Sequence, residues 1–426
     1  MGAMTPPLLE SEDVAWFRDE PASARGAAAA LGRRIGLDEQ RSSEVALAAS
    51  EVATNLGKHA VDGAILLRVI RTEEHAGIEF LAIDHGPGMQ DVAESLRDGV
   101  SSAGSLGIGL GAVIRLADAF DIHTLPTRGT VLWARFWPRT HNGVGPAVVL
   151  SEPTVAGVTR PITGEEVCGD SWATRLDSGA PVGAVAARQS SAVGVGAASA
   201  ASGSGSSGSG SSGSGAAIPG AGGLAAPGLT ASGPGTPAGL RRRSPQWAAT
   251  AGRSQRVGDD PAVLIMLCDG LGHGPLAAVA ADTAVRAFRN GVGRHPEDIL
   301  QEIHQALRGT RGAAVAVARI EPSAGRLLYC GVGNIVGALV DTEGRWGLLS
   351  QPGIVGLQMH RLRTFEYQLP PHGALAMHSD GLSDRWSVQA LPGLLHHAPI
   401  VIAGQLLREV GTRRDDAGIV VAKGLW

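Results

Sequence analysis

Apolar positions along the chain fall into two blocks of different rhythm, separated by a stretch with no periodicity. In the first block Val45, Ala48, Val52 and Leu56 recur at helical spacing and predict a helix over 41–60. Residues 77–84, GIEFLAID, predict a strand ending in Asp84. A second helix is expected from Ile108 to Phe120, then a hairpin over 120–137 that turns at Pro126 to Gly129. The second block holds a buried strand at 263–269, VLIMLCD, and a helix at 275–290 with Pro275 in its first turn. Short strands are predicted at 313–320, 326–332, 335–341, 345–350, 363–369 and 373–379. A helix near 399–409 and a last strand at 418–423 close the chain. Many short strands with few helices predict an α+β class built on antiparallel sheets.

Composition explains the gap between the blocks. The chain has 61 glycines in 426 residues, and they concentrate in one place. Residues 201–215, ASGSGSSGSGSSGSG, sit inside an Ala/Gly/Ser/Pro region from about 176 to 256. Such a region buries too little apolar surface to offset its ordering entropy, so it is expected to be disordered. A natural tract and an inserted linker would look alike here. Setting it aside leaves ordinary globular sequence, enough for two or three domains at roughly 150 residues each. The net charge of −4 argues against a nucleic-acid binder dominated by phosphate contacts. No apolar run reaches the ~18 residues of a membrane span, and Met1 to Arg18 lacks a basic then apolar leader. Cys168, Cys268 and Cys330 form no CxxC pair. A cytoplasmic protein without disulfides, nucleic-acid partner or membrane partner is expected.

Three elements of the first block suggest a nucleotide pocket. Glu51, Asn55 and His59 are four apart and share a helix face about 100° from the apolar stripe. A carboxylate and a carboxamide one turn apart could set a general base beside a Mg²⁺ ligand; read alone, such a face is more often simply a solvated one. Asp84-His85-Gly86-Pro87-Gly88 puts an acceptor at a strand end before a Gly-rich turn, where it could take an adenine amino group. Gly104 to Gly111, GSLGIGLG, leads into a helix, and such a loop offers backbone amides to phosphate. A dinucleotide-binding βαβ reading fails, because this loop does not directly follow a strand.

In order, ExxxN, DxGxG and GxxGxGLG resemble the N, G1 and G2 boxes of the GHKL ATPase superfamily, with a closer match to anti-sigma-factor Ser/Thr kinases of the RsbW, RsbT and SpoIIAB type. The resemblance covers about residues 10–140 and implies a Bergerat-fold α/β sandwich binding ATP with Mg²⁺. By motif position Asn55 would bind Mg²⁺ and Asp84 would read adenine. Gly86, Gly88, Gly107 and Gly109 would shape pocket and lid, and Glu51 would be the base activating a protein serine. No phospho-accepting His-box helix is visible, which favours serine phosphorylation or ATP sensing.

The second block carries separated acids: Asp170 in GEEVCGDSW, Asp269 in CDGLGHG, Asp380 in HSDGLSD, and Asp415-Asp416 in RRDDAG. Several end strands or sit beside glycine, where carboxylates can project from a sheet edge. Hard cations such as Mg²⁺ or Mn²⁺ want this all-oxygen environment, and two of them can activate water and clamp a phosphate. Each Asp-Gly pair alone is an ordinary turn. With GVGN at 331–334, the set resembles the SpoIIE and RsbX branch of the PPM (protein phosphatase 2C-like) Ser/Thr phosphatases, over about 160–176 and 257–426.

That resemblance implies an αββα sandwich with two Mn²⁺ or Mg²⁺ ions. Asp269 would bridge both as the catalytic centre, with the Gly270 carbonyl, Asp170, Asp380 and Asp415 completing the set. The phosphatase would then span 145–426, and the tract would be a long disordered insertion between its first two strands. Cutting at residue 150 is expected to give two soluble parts. Two departures stand out: Gly418 replaces the family's Thr, and no arginine is identifiable to grip the substrate phosphate. His273 is a candidate for orienting phosphate or water, and equally a loop-shaping residue. Cys168 and Cys268 flank the site as structural thiols, and Trp172, Trp386 and Trp426 are expected to pack. The resulting expectation is a partner-switching regulator whose substrate is a phosphorylated STAS-domain anti-sigma-factor antagonist. Whether it also contacts a sigma factor or forms a homodimer is left open. Two rivals are a phosphatase whose ATP domain only senses nucleotide or binds a partner, and a non-catalytic anti-sigma-type binding protein.

Overall fold

Strands of the first block carry more apolar residues than one buried face requires. In the computed structural model, which describes residues 8–72, 74–92, 109–139, 154–179 and 261–426, β2 (Ala64–Arg71) and β3 (Ala76–Ile83) are each buried at seven of eight positions. All of β5 (Gly129–Phe136) is buried. Strands like these need a covering layer on both sides. With β1 (Glu10–Phe17) and β4 (Ala119–Leu125) they form an antiparallel sheet of order β1-β2-β3-β5-β4.

One face of this sheet is covered by α1 (Ala24–Arg34), α2 (Glu39–His59) and α3 (Gly109–Leu116). Val45, Val52 and Leu56 of α2 pack with Ile65, Leu67, Phe80 and Phe136. The Asp38 carboxylate caps α2 by accepting from the Arg41 amide at 2.6 Å. The helix expected to reach Phe120 stops at Leu116, because the sheet captures Asp118. Its amide donates to the Arg135 carbonyl at 2.9 Å, and its carboxylate takes the Trp137 amide and the Arg41 guanidinium.

The second block contains two facing sheets. The first runs β7 (Asp170–Asp177), β8 (Ala262–Gly270), β9 (Ala313–Glu321), β10 (Arg326–Val332), with β13 (Ser350–Gln351) and β16 (Phe365–Gln368) beside β10. The second has the order β12 (Arg345–Gly347), β11 (Val336–Val340), β17 (Ala374–His378), β18 (Ala417–Lys423), β6 (Val155–Arg160). A two-stranded ribbon, β14 (Gly353–Ile354) and β15 (Gln358–Met359), lies apart. Ile265, Leu267, Tyr329, Met377 and Val420 fill the space between the sheets. α4 (Pro275–Asn290) and α5 (Pro296–Ala306) cover the first sheet through Ala284, Phe288 and Leu300. α6 (Pro399–Val410) covers the second, giving the expected helix–sheet–sheet–helix layering.

Several sequence expectations need correction. The strand expected over 345–350 breaks at Gly347, and Ser350–Gln351 crosses to the other sheet. β6 precedes β7, so the insertion joins the second and third strands of this block rather than the first two. β7 also continues to Asp177, two residues into the stretch assigned to the insertion. It is held there by pairing with Ala262 and by Arg294 and Arg319 on the Asp177 carboxylate. Residues 180–260, which hold the Gly/Ser tract, lie outside the described residues.

The largest correction concerns independence. α6 is buried from Pro399 through Arg408. It shares one core with Leu66, Leu81, Val131 and Trp133 on the open face of the first sheet and with Val158, Ile419 and Val421 of the second block. Gly404 permits the close approach, since a Cβ there would meet Val131 at 3.0 Å and Leu81 at 3.1 Å. A polar row crosses the same sheet face. Asp13, Arg68, Glu79 and Arg135 pair in turn at 2.8, 3.4 and 2.8 Å, and Asp13 also accepts from the Thr159 amide of β6 at 2.9 Å. One helix thus serves as outer layer for two sheets. A cut at residue 150 would uncover this core, so two soluble parts are no longer expected.

Candidate functional site

The register of β7 and β8 sets Asp170 directly opposite Asp269, so both carboxylates leave the same face of the sheet. Asp380 follows β17 by two residues, and Asp415 precedes β18 by two. These ends adjoin because β17 and β18 are antiparallel partners, with His378 opposite Ile419. Ser379 ties the two sheets together. Its hydroxyl donates to Asp170 Oδ2 at 2.6 Å and accepts from the Gly418 amide at 2.9 Å. A Cβ on Gly418 would lie 2.9 Å from the Asp170 Cβ, so a threonine there would press on that carboxylate.

Asp416, 3% exposed, takes the amides of Ile162 and Gly169 at 2.7 and 2.8 Å, fixing the strand end that carries Asp415. Its own amide donates to Asp415 Oδ1 at 2.9 Å. Asn334, at the end of GVGN, donates to Asp380 Oδ2 at 2.6 Å. Gly270 admits no side chain, because a Cβ would collide with the Ala277 carbonyl.

Burial and mutual repulsion hold Asp170, Asp269 and Asp415 above the ordinary carboxylate range. Burial, then the charge of Asp269, pushes Asp170 well above the ordinary carboxylate range, against the Ser379 hydrogen bond. Burial, with the charges of Asp380 and Asp415, raises Asp269 to about 7. Asp415 is raised as well, by burial and then by Asp380 and Asp416, against the Asp416 amide. Among the described residues no three His, Cys, Asp or Glu side chains are already drawn in to hold an ion. The cluster is a set of facing carboxylates rather than a closed cage. Its chemistry fits hard dications, which would neutralise the charges that now oppose one another.

Ser379, Asn334 and Asp416 were not assigned site roles from sequence, although Ser379 and Asp416 stand next to the acids that were. Arg311 was missed as well. It is exposed, and its guanidinium stands 3.1 Å from where a Cβ on Gly272 would be, against the DGLGHG loop. The His273 ring is paired with Glu165 at 3.3 Å. Cys268 is fully buried in a core, and the three tryptophans pack against cores as expected.

In the first block Asp84 follows β3 and its Oδ1 accepts from the Gly86 amide at 2.6 Å. Burial raises its carboxyl, opposed by that amide and by the Arg408 guanidinium. Gly86 lies 2.6 Å, measured from a built Cβ, from the His59 carbonyl at the end of α2. Gly88 has φ +66° and presses on the Leu125 carbonyl, so both turns exclude side chains. Glu51 and Asn55 are half-buried on α2, whereas His59 is exposed. Gly109 opens α3 with φ +39°. Gly107 and the rest of 93–108 lie outside the described residues. A half-buried carboxylate beside a glycine turn at the end of α2 can accept a hydrogen bond from an amino group such as that of adenine.

The chain matches the histidine kinase-like ATPase domain family over residues 18–136 and the stage II sporulation protein E (SpoIIE) family over residues 259–423. It is 33% identical over 117 residues to the serine/threonine-protein kinase RsbT of Bacillus subtilis, covering 26% of this chain and 88% of RsbT. It is 25% identical over 126 residues to the phosphoserine phosphatase RsbX of the same organism, covering 29% of this chain and 63% of RsbX. A solved structure from the bacterial stressosome is similar at 22% identity and a TM-score of 0.39, over 63% of this chain and 98% of that one. Among the described residues no helix is long and apolar enough to cross a membrane. Through its first block the chain therefore belongs to the family of the serine/threonine-protein kinase RsbT, and its second block matches the SpoIIE family.

Proposed function

We propose that this protein is a metal-dependent phosphoserine/phosphothreonine protein phosphatase fused to an ATP-binding, serine-kinase-like unit. It would act in the cytoplasm in partner-switching control of a sigma factor. Its units are taken as 10–140 and 145–426, with the insertion between β7 and β8. The observation that carries the reading is the meeting of Asp170, Asp269, Asp380 and Asp415 at adjoining strand ends, although 245 positions separate the first and last.

In this reading Asp269 would bridge two Mn²⁺ or Mg²⁺ ions, with the Gly270 carbonyl, Asp170, Asp380 and Asp415 as the other ligands. Bound ions would supply an activated water and a clamp on phosphate oxygens. The chain's own contribution is positioning: Ser379 orients Asp170, Asn334 orients Asp380, and Asp416 fixes the strand end below Asp415. Arg311, beside the DGLGHG loop, would receive the substrate phosphate in this reading. Arg311→Ala is expected to raise KM at least tenfold with Mn²⁺ affinity unchanged; an unaltered KM removes this role.

In the first block Asn55 would hold Mg²⁺, Asp84 the adenine, and Gly86, Gly88, Gly107 and Gly109 the pocket and lid, with Glu51 as base. Asn55→Ala is expected to weaken Mg-ATP binding by roughly tenfold or more, since a ligand to the ion is lost. Glu51→Gln should keep binding and lose phosphotransfer. Calorimetry giving the same ATP affinity for wild type and Asn55→Ala would show that this helix face is misassigned.

The protein substrate in this reading is a phosphorylated STAS-domain anti-sigma-factor antagonist. Incubating the full chain and Mn²⁺ with a phosphoserine form of such a protein should release phosphate, and EDTA should stop it. No release from any phosphoserine protein, with metal present, would sink the phosphatase reading.

A further inference from the structure

We propose that adenine nucleotide is an allosteric effector of the phosphatase centre, acting through the C-terminal end of α6. The proposal rests on the function proposed above and adds the regulation of its metal site. The geometry comes from one short segment, Arg408 to Asp415, which touches both sites in alternation.

From the nucleotide side, three contacts land on this segment. His85, the neighbour of Asp84 in the Asp84–Gly88 turn, meets the Arg408 carbonyl through Nε2 at 2.9 Å. Arg128, in the turn whose Gly129 packs on the Asp84 carbonyl, pairs with Glu409 and donates to the Ala390 carbonyl at 2.6 Å. Asp62, just past α2, pairs with Arg413 at 3.2 Å. That last pair is more than half exposed and carries little energy. The first two are partly buried and attach to the turn proposed to receive the base.

From the metal side, two backbone bonds land between them. The Ser383 amide donates to the Val410 carbonyl at 2.8 Å, and the Thr412 amide donates to the Gly381 carbonyl at 2.7 Å. Gly381 follows Asp380 directly. The Arg160 guanidinium holds the Thr412 carbonyl from β6. Three residues after Thr412 comes Asp415, and then Asp416 with its two amide anchors. The carbonyls accepting from His85 and Ser383 belong to the last turn of α6, the unsatisfied end of a helix.

α6 itself cannot absorb a displacement by bending into solvent. It is buried between two sheets, its N-terminus is pinned by Asp121 on the Ala398 amide and the His397 ring, both at 2.8 Å, and Gly404 lies against Leu81 and Val131. A shift in the Asp84–Gly88 turn is therefore passed along the segment or refused. A nucleotide that fixes the turn also fixes the strand ends carrying Asp380 and Asp415, and an ion bound there then meets a site already ordered. Two ligands that each order the same element bind with positive cooperativity. Linkage makes the effect reciprocal, and coupled sites typically influence each other roughly 5- to 150-fold.

The test is hydrogen exchange of the amides over 410–416 in the full chain at fixed free Mg²⁺, with and without a non-hydrolysable ATP analogue. Mn²⁺ half-saturation of p-nitrophenyl phosphate hydrolysis is measured in parallel. Nucleotide should slow exchange across 410–416 and lower the Mn²⁺ half-saturation at least about fivefold. His85→Ala should bind the analogue, by calorimetry, and lose both responses; Arg128→Ala provides the same arm should His85→Ala fold poorly. Unchanged exchange and half-saturation in the wild type, or full responses in both variants, overturn the proposal. The exchange arm needs no phosphatase activity. Absent hydrolysis with nucleotide-dependent exchange would therefore count against the phosphatase reading and not against the coupling.

Discussion

Asp269→Ala is expected to reduce metal-dependent phosphate release by roughly 10²–10³-fold or more while leaving ATP binding unchanged. Metal clamping is worth several kcal/mol at the transition state, and each 1.36 kcal/mol is a factor of ten. Asp269 faces Asp170 across the β7–β8 pair and feels the charges of both Asp380 and Asp415, so no other side chain occupies a position equivalent to it. Asp380→Ala should have a similar effect, with the added loss of the Asn334 hydrogen bond. Both sites are exchangeable for alanine without threatening the fold, because removing one carboxylate relieves repulsion among the others. The variants should therefore be at least as stable as wild type in denaturant while inactive. An active Asp269→Ala protein would mean that the carboxylates are not the ion site.

Leu81→Asp is expected to destabilise both halves of the chain together. Leu81 is fully buried in the core shared by the first sheet, α6 and the sheet of β18. Truncating a buried leucine costs about 2–5 kcal/mol, and introducing a carboxylate adds desolvation to that. Against a typical total of about 5–15 kcal/mol, this is a large fraction. Unfolding followed by tryptophan fluorescence should show one transition in the wild type, shifted to lower denaturant in the variant, with nucleotide binding and phosphate release lost in step. A phosphatase transition that kept its wild-type midpoint would show that the two blocks fold independently.

Much of the second block was legible because its strands are short, apolar and punctuated. The helix at Pro275–Asn290 begins at its proline and was placed without error, and VLIMLCD lies within β8. What was not legible follows from mixed patterns. In β1, ESEDVAWF, the apolar signal is diluted by Asp13 and its acidic neighbours, and Asp13 is spent on Arg68 and Thr159. Arg68, Glu79 and Arg135 interrupt apolar strands with charge, yet they are buried because they satisfy one another across β2, β3 and β5. Such a row is visible only once register is known. α1 was missed because AAAALG gives helical propensity without a strong stripe.

At the site, the acids could be read because each sits beside a glycine or a strand end. The groups that aim them could not. A serine or asparagine carries no signal of its own, and Ser379 gains its role only when Gly418 and Asp170 converge on it from separate strands. Gly418, a departure from the family pattern in sequence, makes physical sense beside Asp170, where there is little room for a side chain. The shared core had no sequence signature either. α6 reads as an apolar helix, and nothing in PIVIAGQLLREV tells how many sheets it must serve.

Mn²⁺ binding counted by calorimetry, alongside phosphate release from a phosphoserine protein, tests the central claim most directly. The account predicts two ions per chain in the phosphatase unit, with phosphate release rising over the same Mn²⁺ range and both lost in Asp170→Asn and Asp269→Asn. Full phosphate release in EDTA, or undiminished ion binding in both variants, would contradict it.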